Sequence, residues 1–235
     1  MLVFTGTDRL SHFLWDAYED ENHIYHNEFL SHFRKVDGVI GEIVSKLESD
    51  DSIIMLSDHG FERLDTEVNV NCLLEEEGLL KLKADRRSTI SGINSGTVAF
   101  ALDPARIYIN TKDYPEGAID DSDKGKVLDY LEDLFLSLEH EGKPVIKKVF
   151  RKEELYYGPL IEMAPDMVLT ANSGFDLKAR VDAEQIFTRS MLHGKHTQHD
   201  AFLFARIPGQ KKVLSDKPKI YEVYDLICRG KRAGR

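Results

Sequence analysis

Ser52-Ile53-Ile54-Met55-Leu56-Ser57-Asp58-His59-Gly60 is the stretch on which the fold turns. A short continuous apolar run that leaves into a polar turn is the pattern of a strand buried on both faces, as in a parallel sheet covered by helices. The turn sets an aspartate and a histidine side by side at the carboxyl end of that strand, and Gly60 gives the backbone the freedom such a turn needs. The local alternative is a turn whose Asp58 caps the next element and whose His59 packs at the rim.

Upstream, Met1-Leu2-Val3-Phe4-Thr5 is apolar and β-prone, and Gly6-Thr7-Asp8 follows like a strand exit, so the first residues are expected within a sheet. From residue 11 to residue 47 the apolar positions Phe29, Phe33, Val36, Ile40, Ile43, Val44 and Leu47 recur at helical spacing. One amphipathic helix is predicted there, with His23, His26 and His32 on its solvated face. Strand, helix, strand makes a βαβ unit, and open parallel sheets place their crevices at the carboxyl ends of strands, where Asp8 and Asp58 both fall. Downstream, the pattern predicts a helix and short strand over 69–82, strands over 97–102 and 106–110, and a polar surface loop over 111–123. A helix over 124–138, an edge strand over 145–151, a short core strand over 167–169 and a last strand over 201–205 complete the reading.

Composition limits the function classes. At 235 residues, 42% hydrophobic and 31% charged, the chain is long enough for a substantial globular core. Forty-one acidic residues against 31 Lys+Arg give a formal charge of −10, which argues against an extended basic face and therefore against bulk nucleic-acid binding. Cys72 and Cys228 have neither C-x-x-C spacing nor the density of a disulfide scaffold, which fits a reducing compartment. No apolar run is long enough to span a membrane and no signal-peptide pattern opens the chain, so the expected location is cytoplasmic, with no membrane partner.

Three clusters carry chemistry. Asp8 and His12 stand four apart; if a helix begins there they share a face, and a carboxylate oxygen and an imidazole nitrogen converge on one cation. The alternative is an N-terminal capping Asp followed by a surface His. Asp58 and His59 form the second cluster. The third is His193-Gly194-Lys195-His196-Thr197-Gln198-His199, three histidines in seven residues, from which at least one metal ligand is expected. There is no G-x-S-x-G elbow, no Walker loop and no G-x-G-x-x-G. Asp120 to Gly125 lacks the acceptor spacing of a calcium loop, and Glu75-Glu76-Glu77 reads as a solvated helix end.

Taken in order, Asp-x3-His, Asp-His-Gly and a late G-x-H resemble the type I phosphodiesterase/nucleotide pyrophosphatase family of the alkaline phosphatase superfamily. Ala105-Arg106-Ile107-Tyr108-Ile109-Asn110 with Pro115-Glu116-Gly117, Glu153-Glu154-Leu155-Tyr156-Tyr157-Gly158-Pro159 and Ala164-Pro165-Asp166-Met167-Val168-Leu169 extend the likeness over nearly the whole chain.

The resemblance implies an α/β fold: an alkaline-phosphatase-like, mostly parallel sheet flanked by helices, in one domain over 1–235 with a small α+β insertion or cap at about 83–190. It implies a metal-dependent hydrolase of phosphoesters with two divalent metal ions, usually zinc and sometimes manganese. Asp8, His12 and His196 would hold one ion, and Asp58 and His59 the other. His196, rather than His199, occupies the His of G-x-H. The family's nucleophile and a further metal-binding Asp precede the positions matched here. The N-terminal part of the fold is therefore expected to be missing, and the isolated chain to be impaired.

A phosphoester or nucleotide-like small molecule is the expected substrate, with Arg86 and Arg87 as anion contacts or plain surface residues. Two alternatives stay open. One is another superfamily hydrolase, of the sulfatase, phosphoglycerate mutase or phosphonate hydrolase kind. The other is a non-catalytic metal-binding or assembly domain that forms a homodimer or pairs with a separately encoded N-terminal half.

Overall fold

A computed structural model describes residues 1–83, 90–103, 105–113, 117–209 and 217–230. The elements run α1 (Gly6–Glu19), α2 (His26–Ser45), β1 (Ile53–Leu56), β2 (Gly60–Asn69), α3 (Val70–Glu76), β3 (Ala99–Asp103), β4 (Arg106–Ile109), α4 (Lys124–Leu136), β5 (Glu139–His140), β6 (Lys143–Pro144), β7 (Ile146–Arg151), α5 (Lys152–Leu155), β8 (Met167–Ala171), β9 (Gly174–Lys178), β10 (Phe187–Thr188), β11 (Gly194–Thr197), β12 (Leu203–Arg206) and α6 (Glu222–Gly230). This is a mixed α/β chain in two compact units, Met1–Arg63 with Leu192–Arg235, and Leu64–Met191.

In the first unit the single helix expected over 11–47 is two. The Asn22 N–H donates to Asp20 Oδ1 at 2.9 Å, and this local bond offers the backbone an alternative to continuing the helix. The chain turns between Asp20 and Tyr25 and resumes as α2. The break also removes the histidines from the expected solvated face. His23 lies in the turn, the Nδ1–H of His26 donates to the Ala17 carbonyl at 2.8 Å, and His32 packs against Gly6, where a Cβ would stand 2.8 Å from the imidazole Cε1. All three are half-buried. Residues 1–5 form no strand: Met1, Leu2 and Val3 are exposed and have no ladder partner among the described residues. β-prone composition specifies a strand only where another edge accepts its hydrogen bonds.

β1 is the expected strand, but it pairs antiparallel with β12, from Ile53↔Arg206 to Leu56↔Leu203. An unalternating apolar run signals burial and not the direction of its neighbour. Here β1 is half-buried, with Leu56 exposed. Among the described residues the only parallel pairing of named strands is β2 with β9, so the mostly parallel sheet is not what these strands build. The first half of β2, a strand the sequence reading did not anticipate, pairs antiparallel with β11 from Gly60↔Thr197 to Arg63↔Gly194. Few side chains of this unit are fully buried, chiefly Ser11, Ala17 and Phe29.

The second unit holds the continuous hydrophobic core. The second half of β2 pairs with β9 and β10, while β3, β4, β8 and β7 form an antiparallel sheet in that order. β7 lies at its edge and β8 inside it, as the sequence predicts. Leu74 of α3, Leu131 and Phe135 of α4, and Ile107, Met167 and Leu169 of the sheet are essentially sealed from solvent. Asp166 is buried with them; its Oδ2 accepts the Ile109 N–H at 2.8 Å, while Lys124 and Lys152 approach Oδ1 at 2.8 and 3.1 Å. Arg86, Arg87, Pro115, Glu116 and the last five residues lie outside the described residues. No described helix is long and apolar enough to cross a membrane.

Candidate metal centre

The centre assembles from α1, the β1–β2 turn and β11, all in the first unit. α1 does begin just before Asp8, which sits in its first turn, where the positive end of the helix dipole favours a carboxylate. Asp8 and His12 are thus one helical turn apart on the same face. In β11, Gly194 and His196 share one face of the strand, while Lys195 points to the other and pairs with Glu62 at 2.9 Å.

Gly194 explains why the late motif needs glycine before the histidine. A Cβ there would overlap the Ser11 carbonyl oxygen and stand 3.1 Å from Trp15 Cβ and 3.2 Å from Phe61 Cδ1. Without it, β11 lies directly against α1. The His193 N–H donates to the His12 carbonyl at 2.7 Å, and the His12 Nδ1–H to the Gly194 carbonyl at 2.9 Å. A carbonyl only accepts, so His12 carries its proton on Nδ1 and presents an Nε2 lone pair. His59 is oriented in the same way, its Nδ1–H donating to the Gly60 carbonyl at 3.0 Å.

These lone pairs converge. His12 Nε2 lies 2.9 Å from His196 Nε2, His196 Nε2 lies 3.1 Å from Asp8 Oδ1, and His12 Nε2 lies 3.7 Å from the same oxygen. Ligands sharing one tetrahedral zinc at about 2.0–2.1 Å have donor atoms roughly 3.3 Å apart, so this spacing fits a cation. So does the proton count: with His12 and His59 both protonated on Nδ1, the only ring proton available between the facing Nε2 atoms is that of His196. His59 Nε2 then faces Asp8 Oδ1 at 3.6 Å and Asp58 Oδ1 at 3.5 Å, lone pair against carboxylate. Such an acceptor-rich cluster is stabilised by a cation or by added protons. Burial first, then the neighbouring His59 and His12, push His196 below the ordinary histidine pKa against the opposing pull of Asp8, so it favours the neutral form that ligates.

Among the described residues, Asp8, His12 and His196 are the group whose ligand atoms lie mutually within 4.8 Å. His59 joins it by stacking on His196, with ring centroids 3.5 Å apart. Asp58 is further out: its carboxylate is exposed, with Oδ1 accepting the His59 N–H at 3.2 Å. His199 is exposed and has no part in the cluster, whereas His196 is in it.

Several contributors had not been picked out from sequence. Phe61 stands opposite His196 in the β2–β11 register and packs against His12, His59 and His196 with centroids 4.9, 5.5 and 5.2 Å away. A Cβ on Gly60 would run into the Asp200 carboxylate, which also bonds Thr197 Oγ1. An aromatic one residue beyond a turn carries no pattern of its own, but the glycine of G-x-H does.

No curated protein and no solved structure matches the chain. A family model does, over residues 1–198, a span that contains all of Asp8, His12, Asp58, His59 and His196. On that match the chain belongs to the type I phosphodiesterase / nucleotide pyrophosphatase family, and with it to the alkaline phosphatase superfamily.

Proposed function

We propose that this chain carries the metal-holding part of a phosphoester hydrolase, with Asp8, His12 and His196 holding one divalent cation, zinc or manganese, and Asp58 and His59 contributing to a second. The observation that carries the reading is the convergence of two oriented imidazole lone pairs, a third imidazole and a carboxylate in one cluster. A divalent cation bound there would supply charge stabilisation for the oxygens of an in-line displacement at phosphorus. The protein's own part is orientation. The Gly194 and Gly60 carbonyls fix the tautomers of His12 and His59, and Phe61 forms an apolar wall that lowers the local dielectric.

The substrate class is a phosphoester or nucleotide-like small molecule. No nucleophile is assigned to a residue of this chain, so turnover of a chromogenic phosphodiester by it should be weak. The region at about 83–190 is read as an insertion or cap in the family fold.

The test is metal content of the purified chain, with Asp8→Ala and Asp58→Ala in parallel. Stoichiometric zinc or manganese lost in Asp8→Ala supports the reading; no uptake from excess zinc refutes it. A second reading, an assembly domain, is favoured by the exposure of Leu56, Phe202 and Phe204 on and beside the β1–β12 pair. A stable dimer formed without metal would support it, and a monomer at all concentrations would count against it.

A further inference from the structure

Behind the candidate ligands lies a second cluster that takes no direct part in the site. Asp16 Oδ1 is 2.7 Å from His193 Nδ1, and Asp16 Oδ2 is 3.6 Å from His23 Nε2. Asp16 Oδ1 also accepts the Ala17 N–H at 2.9 Å, which fixes the carboxylate in place. Both histidines turn a ring nitrogen toward Asp16, His193 in close contact and His23 just beyond hydrogen-bond distance. His23 Nδ1 accepts the Tyr25 N–H at 3.1 Å, so in the neutral ring the proton resides on Nε2, toward Asp16. His193 Nδ1 lies 2.7 Å from Asp16 Oδ1, an ion-pair contact that lacks the alignment of a hydrogen bond. That arrangement argues against a cation at Asp16, because the His23 nitrogen facing it carries a proton rather than a lone pair.

The position of this cluster in the chain gives it a consequence. Asp16 lies on α1 past the kink at Leu14, where φ is −134° and ψ 30°; His23 lies in the turn that ends α1; His193 is the residue before β11. The His193 backbone N–H donates to the His12 carbonyl, and the next residue, Gly194, accepts from the His12 ring. The pairing of Asp16 with His193 therefore anchors the same residue through which β11 grips His12. We infer that Asp16, clamped between His193 and His23, is a positioning residue that sets the separation of Asp8 and His12 on α1 from His196 on β11. The inference rests on the metal reading above for its consequence, while the clamp itself exists without metal. In a unit with few buried apolar side chains, such polar contacts do much of the holding.

The experiment uses the full chain and zinc alone as the probe, with affinity measured by competition against a chromogenic chelator and Co(II) absorption as the spectroscopic signature. Asp16→Ala should weaken zinc binding by about 10–100-fold, the usual effect of removing an outer-shell partner, and alter the Co(II) spectrum. Asp16→Asn keeps one carbonyl acceptor for His193 and should recover part of the loss. The pair His193→Leu and His193→Gln repeats the comparison from the other side, because glutamine retains a donor toward Asp16, and it serves should Asp16→Ala not fold. Unchanged affinity and spectrum in Asp16→Ala, or equal losses in the alanine and asparagine variants, overturn the inference. A wild-type chain that takes up no zinc overturns the metal reading instead. In that case the clamp is judged by the His12 Nδ1–H tautomer, read by nitrogen NMR in the metal-free chain. Asp16→Ala should shift it, and an unshifted tautomer overturns the clamp.

Discussion

Replacing Gly194 with alanine tests the link between backbone packing and the metal site more sharply than removing a ligand. The added methyl would overlap the Ser11 carbonyl oxygen and crowd Trp15 Cβ at 3.1 Å and Phe61 Cδ1 at 3.2 Å. Ser11 is backbone in the middle of α1 and cannot rotate away, so β11 must retreat. Ordinary non-bonded contacts of carbon lie at about 3.5 Å, and the retreat needed to restore one is roughly 1 Å. The His193 N–H to His12 bond of 2.7 Å and the His12 to Gly194 bond of 2.9 Å span this same interface. Lengthened by about 1 Å, both pass beyond useful hydrogen-bond range.

The expected cost is about 1 kcal/mol for each lost hydrogen bond plus about 1–3 kcal/mol of overpacking, or about 3–5 kcal/mol in all. His196, two residues along the strand, moves with it, and freeing the His12 ring costs the orientation of its lone pair, so zinc affinity should fall at least about 10–100-fold. Urea unfolding followed by tryptophan fluorescence reads the first effect, since Trp15 is the single tryptophan and lines the interface; chelator competition reads the second. A Gly194→Ala chain that unfolds at the wild-type midpoint and binds zinc as tightly would refute the account of why glycine stands there.

Gly38→Ala and Gly41→Ala are the converse: both lie inside α2 with open space where a Cβ would go, so each should stabilise by about 0.5–1 kcal/mol, and a lowered melting temperature would contradict that placement. His196 has a folded pKa below the ordinary histidine value of about 6.5, so the unfolded chain binds more protons in the window beneath it; its share of stability is fully present above that value and is lost as pH falls through the folded pKa. His196→Gln should flatten that part of the profile, and zinc affinity should drop over the same window as protons compete for the imidazoles. Asp166→Ala leaves the buried Lys152 without its carboxylate partner and should cost about 3–5 kcal/mol in urea unfolding, the range for breaking a buried ion pair from one side. A cost below about 1 kcal/mol would mean that Lys152 finds water instead.

The residues that come together at the site were legible because coordination chemistry restricts residue types: spacing and side chain single out Asp8, His12 and His59 and one histidine of the 193–199 cluster, and the resemblance to the family's G-x-H picks His196 from that cluster. The pairing of strands was not. The run at 53–56 is apolar enough to mark a strand, yet nothing in it distinguishes an antiparallel partner at 203–206 from a parallel one. Nor did the run from 11 to 47 reveal its break, since the helical period on either side of Asp20 is strong, and a single side-chain bond to the Asn22 N–H decides the turn. Asp16 illustrates a signal present but unused: Asp8, His12 and Asp16 follow at intervals of four, and the kink at Leu14 re-aims the third member toward His193 instead of the cluster.

The two units differ in what holds them, and that difference bears on how a metal would act. Leu64–Met191 has its own sealed core of apolar side chains, whose burial is the main force holding it. The site-bearing unit buries few apolar side chains and joins Asp8 to His196 across 188 positions of chain. Closing a loop of that length carries an entropic cost that grows only slowly with length, so the contacts at its ends decide whether it closes. Here those contacts are hydrogen bonds between α1 and β11, each worth about 1 kcal/mol net. A cation shared by Asp8, His12 and His196 would bridge the same two elements, and because the unfolded chain offers no preformed site, its binding free energy would count as folding free energy. The candidate ligands of this centre would therefore have a structural task as well as a chemical one: with a cation they would staple the sparsely packed unit at the point where the glycine of G-x-H allows its helix and strand to touch.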